Sequence, residues 1–580
     1  MKRSLLVTSC VLTVALVALW AVGQLAQPRA PELPSLMPDG ALLYLEAKDF
    51  SALLNDWNSS EQKRIWLAGD NYQAFSRSRL FQRLSQAQQE FSSAAGLATD
   101  NEFLSSVAGK QSCLGVYDIG NLAFVYVTRM DEHAAESTPL WQLRSSFEQR
   151  TEGSAQFFVR QDQQSGRTAA FAASNGWLIL ATREDLLAGV LDRLQTTGMR
   201  SVASESWFAD PIKQASGPQG DLRMVLNLEK LVPSPYFRSY WVQRNITEMK
   251  QYSAALSDLY RAPESDREER VLLRKSGLPA AASGDVNALA ALAPSDAVFY
   301  SAQASPDSGR VLSALRENLL ELKLAPIEAP EDEAPPPVAQ ENAGDASMLE
   351  VRIDQAPVIV PQSDPYESLR AVLGAAQPSG LLQVFSTSVP ADGDFLRIET
   401  GVVIQSEENW NDAAIRDALA AAIEPGLTAG RMGLGWSQRS GEFGSYFALD
   451  GRLPLFAAVR AKLLFLSNDS DFLESMLARQ QNSTPGAPSG VTSAFVFRHS
   501  PREQQNFHEL FTRLDETSMP ANREQQAIPF SGDGAGRSPA FFSGNIASLS
   551  NMFSSMNEET VEEKDQDAKV TQTVVYRWSH

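Results

Sequence analysis

Histidine and cysteine, the side chains that most often bind transition metals or act as nucleophiles, are scarce in this 580-residue chain. The histidines are His133, His499, His508 and His580, and the cysteines are Cys10 and Cys113. None of the histidines has a second one at the spacing of an HExxH zinc helix. The sequence therefore predicts no metal ion, no cofactor and no covalent nucleophile, and Cys113 is predicted to be a small core residue.

Glycine-rich and acidic segments could also carry chemistry, but their patterns favour turns. No Walker loop, GxSxG elbow or post-strand GxGxxG occurs in the sequence. MGLGWSQRSGEFGS from Met432 and FSGDGAGRSPAFFSGN from Phe530 are typical of hairpin turns and a loop. The acidic run EETVEEKDQD from Glu558 is predicted to be a solvated turn between a helix and the last strand. No catalytic residue is predicted.

Aromatic clusters are the remaining candidates for a site. In SPYFRSYWVQRN, the residues Tyr236, Tyr240 and Trp241 fall at helical spacings, and exposed aromatic residues of this kind often anchor interfaces. The alternative is a helix that packs its apolar side on its own sheet. IWLAGDNYQAF, with Trp66 and Tyr72, has the same two interpretations. Tyr236, Tyr240 and Trp241 are accordingly predicted as weak partner-binding residues.

Composition limits the classes of partner. Fifty basic and seventy acidic residues give a formal charge of -20, which would repel the phosphate backbone of a nucleic acid. The hydrophobic content of 43% and the length of the chain are sufficient for two or more domain cores. The acidic balance therefore favours either a neutral or basic partner surface or simple solubility.

The first residues resemble a membrane or export segment. Lys2 and Arg3 precede an uncharged, mainly apolar stretch from Ser4 to Ala26, which has the length of a membrane-spanning helix. Residues 1–29 are predicted to be either an uncleaved anchor with its basic end in the cytoplasm or a cleaved signal peptide. Residues 30–35 are predicted to form a Pro-rich spacer. The folded part is then expected in the bacterial periplasm, anchored in the inner membrane or soluble after cleavage.

The elements downstream are arranged as a repeat. LMPDGALLYLEAKD from Leu36 and LAPSDAVFYSAQAS from Leu292 share leucine, proline, alanine and tyrosine at equal spacing, a Pro turn leading into a strand. WLILATREDLLAGVLDRLQ from Trp177 aligns without a gap with LLFLSNDSDFLESMLARQ from Leu463. Each of these two aligned segments predicts a buried strand, a polar break and an amphipathic helix.

Local signals in the aligned pair are similar as well. The buried helix positions are predicted to be Leu186, Leu187, Val190 and Leu191 in the first, and Phe472, Leu473, Met476 and Leu477 in the second. Thr182 and Asn468 are predicted to cap these helices, three residues before a carboxylate.

These patterns predict two divergent tandem copies of an α+β module of mixed sheet and helix, behind one N-terminal membrane helix. The modules are residues 36–279 and 288–580, with a linker at 280–287. The second module contains a Pro-rich and acidic tract at 325–361, which is predicted to be a disordered insertion.

The chain resembles a family of uncharacterised bacterial exported or membrane-anchored proteins classed under a domain of unknown function. The resemblance rests on the LxPxxAxxY phrase from Leu36 after an N-terminal apolar helix, on the strand-helix blocks and on the segment SRSRLFQRLSQAQQEFSSAAG. The resemblance implies a location in the bacterial envelope and supplies no catalytic residues.

Taken with the repeat, these features favour a non-enzymatic envelope scaffold or binding protein on the outer side of the inner membrane. Its partner would be another envelope protein or an apolar ligand, and the seam between the modules is a natural place for a groove. The alternative is an envelope hydrolase that uses carboxylates gathered between the modules. The sequence makes no prediction of oligomeric state.

Overall fold

The computed structural model describes residues 32–77, 79–196, 198–235, 249–276, 284–321, 364–388, 397–427, 435–450, 454–482, 490–499, 556–566 and 568–578. Two compact units are present. The first comprises the described parts of Met1–Leu67, Tyr72–Tyr260 and Arg270–Leu278, and the second those of Ala68–Asn71, Arg261–Glu269 and Pro279–His580. Within the described ranges, no helix combines the length and the apolar character needed to span a membrane.

Strands of the first unit are β1 (Leu43–Asp49), β2 (Lys110–Asp118), β3 (Ala123–Arg129), β4 (Glu148–Glu152), β5 (Ala155–Gln161), β6 (Thr168–Ser174), β7 (Trp177–Ala181), β8 (Leu222–Asn227), β9 (Tyr252–Tyr260) and the part of β10 (Ser265–Arg274) from Arg270 onward. Its helices are α1 (Leu33–Leu36), α2 (Phe50–Ser59), α3 (Glu61–Ala68), α4 (Asp70–Ser76), α5 (Arg79–Ala95), α6 (Asn101–Val107), α7 (Glu132–Ser137), α8 (Pro139–Gln142), α9 (Glu184–Gln195), α10 (Ser206–Gln214) and α11 (Leu228–Leu231).

Strands of the second unit are β11 (Phe299–Ala304), β12 (Pro378–Ser388), β13 (Arg397–Ser406), β14 (Trp436–Gly441), β15 (Gly444–Leu449), β16 (Leu455–Arg460), β17 (Leu463–Ser467), β18 (Ser493–Arg498), β19 (Met556–Asp565) and β20 (Lys569–Trp578). Its helices are α12 (Asn287–Ala290), α13 (Ser308–Leu315), α14 (Glu367–Ala376), α15 (Asp412–Leu427) and α16 (Ser470–Asn482). The predicted hairpin from Met432 is confirmed where β14 pairs with β15.

The strand order is the same in the two units. In the first unit it is β4-β5-β6-β7-β3-β2-β1-β8-β9-β10. In the second it is β14-β15-β16-β17-β13-β12-β11-β18-β19-β20. The registered pairs within both orders are antiparallel, and helices accompany them, so the predicted α+β class is confirmed.

Helices cover both faces of each sheet. In the first unit Ile179 packs with α1, α9 and α10, whereas its neighbours Leu178 and Leu180 point to the face under α5–α8. In the second unit Phe465 packs with α12 and α16, and Leu464 and Leu466 pack under α13–α15. This alternation, which places apolar residues on both faces, explains why the central strands consist of consecutive apolar residues.

The amphipathic helices after β7 and β17 are confirmed, but their capping is not as predicted. All eight predicted apolar positions of α9 and α16 are buried. Thr182 and Asn468 do not cap these helices. Instead, the side chain of each accepts a hydrogen bond from a backbone N–H of the adjacent strand. Thr182 accepts from Phe124 at 2.9 Å, and Asn468 accepts from Thr400 at 2.8 Å. Asp469 instead accepts from the Phe472 N–H near the start of α16.

The acidic run from Glu558 is a strand and not the predicted turn. It forms β19, which lies between β18 and β20. Glu558 receives hydrogen bonds from Arg498, at 2.9 Å, and from Arg577, which lie on the two neighbouring strands. These cross-strand ion pairs compensate the charge of Glu558, the first acidic residue of the strand.

Candidate functional site

An apolar cavity of about 570 Å³ lies within the first unit. Its walls come from β1–β3 and β7 on the sheet side and from α2, α5 and α6 on the helical side. Aromatic lining residues are Phe50, Phe91, Phe103, Phe124 and Tyr126, and aliphatic ones include Leu45, Leu84, Leu104, Val107, Leu114 and Leu180. The volume and lining fall in the range of small-molecule sites in proteins.

The cavity exists because its helical wall packs loosely on the sheet. Helices α2 and α3 contain no fully buried residue. Leu84 of α5 and Leu104 of α6 line the cavity, yet they are 48% and 42% exposed. Complete burial of a leucine side chain contributes about 1.5–3 kcal/mol, so the unit forgoes part of this stabilisation at both positions. A bound apolar molecule would cover this surface.

The second unit fills the corresponding face with its own side chains. There α13, α14 and α15 pack against the strands that occupy the same places in the order. Leu315, Leu369, Leu373, Ile415 and Leu419 are each fully buried in that layer. A complete core on this face is thus compatible with the strand order, and the cavity is a property of the first unit's helices.

A hydrogen-bonded group of hydroxyls lies at the sheet side of the cavity. The Tyr126 hydroxyl donates to the carbonyl oxygen of Val107 at 3.0 Å and lies 3.2 Å from Ser112 Oγ. Ser112 in turn lies 2.6 Å from the hydroxyl of Thr128. Burial raises the pKa of Tyr126, so the phenol is neutral at physiological pH. These groups are satisfied internally and leave an apolar surface to a ligand.

One cation lines the cavity. Among the lining residues Arg167 is the single lysine or arginine, and its side chain is 24% exposed. Its Nε donates to Glu90 at 2.7 Å, and its Nη1 donates to the backbone oxygen of Asn121. Arg83 of α5 donates to the backbone oxygen of Gly120 at 2.7 Å. The two arginines therefore connect α5 to the sheet side of the cavity.

Glu90 is ionised in this arrangement. The hydrogen bond from Arg167 is the main cause that holds the pKa of the Glu90 carboxyl below its usual range. The guanidinium of Arg167 has five N–H donors, of which the two bonds above use two, so three remain for water or a ligand.

Of the residues singled out in the sequence, Cys113 lines this cavity. Tyr236, Tyr240 and Trp241 lie outside the described residues, as do His508, His580, the Gly-rich segment from Phe530, the tract 325–361 and residues 1–31. Cys113 is buried, which confirms its predicted core position. Trp66 and Tyr72 contact each other edge to face, with ring centroids 6.1 Å apart.

Within the described ranges, no group of three or more His, Cys, Asp or Glu residues is placed to hold a metal ion. A polar depression of about 1050 Å³ lies near the ends of β4–β7 and is lined by residues such as Gln149, Gln156 and Asn175. Water solvates such groups well, so the apolar cavity is the stronger candidate for ligand binding.

Fold and cavity define the class: an α+β protein with helix-covered antiparallel sheets and a ligand-sized apolar cavity in its first unit. No protein-family model matches the chain, and no curated protein matches it significantly. Crystal forms I and III of TP0453 show 8% and 7% identity, with TM-scores of 0.26 and 0.24. These matches cover 44% and 43% of this chain and 82% and 83% of that chain.

Proposed function

We propose that this chain is a non-enzymatic binding protein of the bacterial envelope whose first unit holds an apolar ligand. The observation that carries the proposal is the cavity, where Leu84 and Leu104 remain nearly half exposed among aromatic lining residues. An unfilled apolar cavity lowers the stability of the protein that contains it. A ligand that binds in the cavity stabilises the folded state, because it binds the folded and not the unfolded chain.

This proposal predicts saturable binding of an apolar dye. Titration of the purified chain with N-phenyl-1-naphthylamine should give a fluorescence increase that saturates at one dye per chain, because the proposed site is one cavity of limited volume. A linear, unsaturable increase would show only nonspecific adsorption and would contradict the proposal. Cleavage of an envelope polymer by the purified chain would favour the hydrolase alternative.

The envelope location rests on the sequence of residues 1–29. Lys2 and Arg3 ahead of the apolar stretch favour a cytoplasmic start and a periplasmic bulk, whether anchored in the inner membrane or released by cleavage. An envelope protein is the second kind of partner that this location would supply.

A reporter fusion tests the topology. A reporter that is active only in the cytoplasm, fused after His580, is expected to give no signal, because the folded bulk would have crossed the membrane. The same reporter fused to a variant with residues 4–26 deleted is the matched control and should be active. Strong activity of the unmodified fusion would reverse the proposed topology.

We further propose that the two units arose by duplication of one module. Support comes from the identical order of ten strands and from Thr182 and Asn468, which make equivalent bonds to the neighbouring strand. Ile179 and Phe465 also occupy matching places between strand and helix. One copy then retained a filled core while the other acquired a cavity.

An experimental structure of the chain tests the duplication. We expect residues 36–279 and 288–580 to superpose with β1–β10 on β11–β20 in the same order. If Trp177–Ala181 fell on any strand other than Leu463–Ser467, the duplication would be wrong.

A further inference from the structure

We infer that the ligand of the first unit is a single-chain anionic amphiphile, such as a fatty acid, whose head group binds Arg167 at the rim of the cavity. This inference depends on the proposed function and specifies the chemistry of the same site. It follows from three properties of the lining: its apolar body, its single cation and the free donors of that cation.

The apolar body favours an alkyl chain. Side chains from both walls enclose it, with Phe91 and Phe124 in contact at 5.9 Å between ring centroids and Phe103 buried beside them. The Ser112 and Tyr126 hydroxyls are bonded to protein groups and do not require a polar ligand. Each methylene that enters such a cavity should strengthen binding about fourfold.

Arg167 favours an anionic head group at the end of that chain. Its guanidinium is partly buried, is anchored by Glu90 and Asn121, and retains three N–H donors in a planar array that suits a carboxylate. Thr168, the next residue in the chain, lies on the same lining. The net charge of -20 acts mainly through exposed groups that salt screens within about 8 Å. The lining also contains one carboxylate, that of Glu46, which accepts a hydrogen bond from the Tyr44 hydroxyl at 2.6 Å, so the head group is placed at Arg167 and not at Glu46.

Glu90 limits this preference. Its carboxylate holds Arg167 in place, but it also repels a second carboxylate at the same guanidinium. Replacing Glu90 with glutamine should therefore strengthen the binding of an anionic ligand and leave that of a neutral one unchanged.

A paired titration tests the inference. The full chain in nanodiscs of neutral lipid is titrated by calorimetry with dodecanoate and with dodecanol, which share one alkyl chain, and empty nanodiscs serve as the blank. We expect the native chain to bind dodecanoate about tenfold more tightly than dodecanol, because one charge-assisted hydrogen bond contributes about this factor to affinity. Arg167→Gln should reduce this ratio to about one while dodecanol still binds, and Glu90→Gln should raise it.

Controls separate a charge effect from a loss of structure. Arg64→Gln removes an exposed arginine of α3 that pairs with Glu61 outside the cavity, and it should leave the ratio unchanged. Arg167→Lys keeps the charge and should retain most of the preference; a ratio near one in this variant, with dodecanol binding intact, would contradict the role of charge. Should Arg167→Gln lose both ligands, the Arg167→Lys result decides.

The outcomes also distinguish this inference from the proposed function. If neither ligand binds the native chain, the apolar-ligand function itself is wrong. If both bind equally well, the cavity takes apolar chains and the anionic head group is wrong.

Discussion

Replacing Asp258 with alanine is expected to lower the free energy of unfolding of the first unit by about 3–5 kcal/mol, the usual cost of breaking a buried ion pair from one side. Asp258 is 2% exposed and Arg223 is 8% exposed. Arg223 donates from Nε and Nη2 to the two carboxylate oxygens at 2.8 and 2.7 Å, and the Gly220 N–H donates to the same carboxylate at 3.1 Å. Without the carboxylate, a guanidinium is left buried between β8 and β9.

Hydrogen-exchange mass spectrometry in increasing urea measures this loss locally, on peptides that cover β8 and β9. Asp210→Ala is the matched control, because Asp210 forms an exposed pair with Lys213 at 3.0 Å and should cost less than about 1 kcal/mol. Equal exchange in the Asp258 and Asp210 variants would contradict a structural role for the buried pair.

Filling the cavity should abolish ligand binding with little loss of stability. Ala87 lies on α5, lines the cavity and is only partly buried, so a larger side chain can enter the space without displacing the sheet. In the variant Ala87→Trp, the indole would exclude roughly four methylenes of ligand at about 0.8 kcal/mol each, which corresponds to about a two-hundredfold loss of affinity.

Gln82→Trp provides the control for this variant. Gln82 is an exposed residue of the same helix and does not line the cavity, so its replacement adds the same bulk in solvent. Dye titration of both variants should show near-normal binding for Gln82→Trp. Comparable affinities in the two variants would indicate that ligands bind elsewhere.

Much of the sheet could be predicted from the sequence because buried strands and amphipathic helices leave periodic signals. The buried face of α9 was predicted correctly, since Leu187 and Leu191 follow the helical period. Caps and β19 were predicted wrongly because their partners are distant in sequence. Thr182 bonds to Phe124, and Glu558 is compensated by Arg498, neither of which a local window includes.

The cavity could not be predicted for a related reason. Its lining joins residues of β1, α5, α6 and β7, which are far apart in the sequence. A sequence pattern gives the apolar faces of helices, but not whether two such faces meet completely. Leu84 and Leu104 are 48% and 42% exposed at this space, and nothing in the local sequence distinguishes them from leucines of a filled core.

Mass spectrometry of the molecules that copurify with the chain tests the central claim most directly. The native chain and Ala87→Trp are purified from the same cells without added lipid, extracted with organic solvent and compared. The native chain is expected to release a single-chain amphiphile in near-stoichiometric amount, and the filled variant is expected to release little or none. Identical extracts from the two proteins, or the absence of any bound amphiphile from the native chain together with no saturable dye binding, would contradict the account.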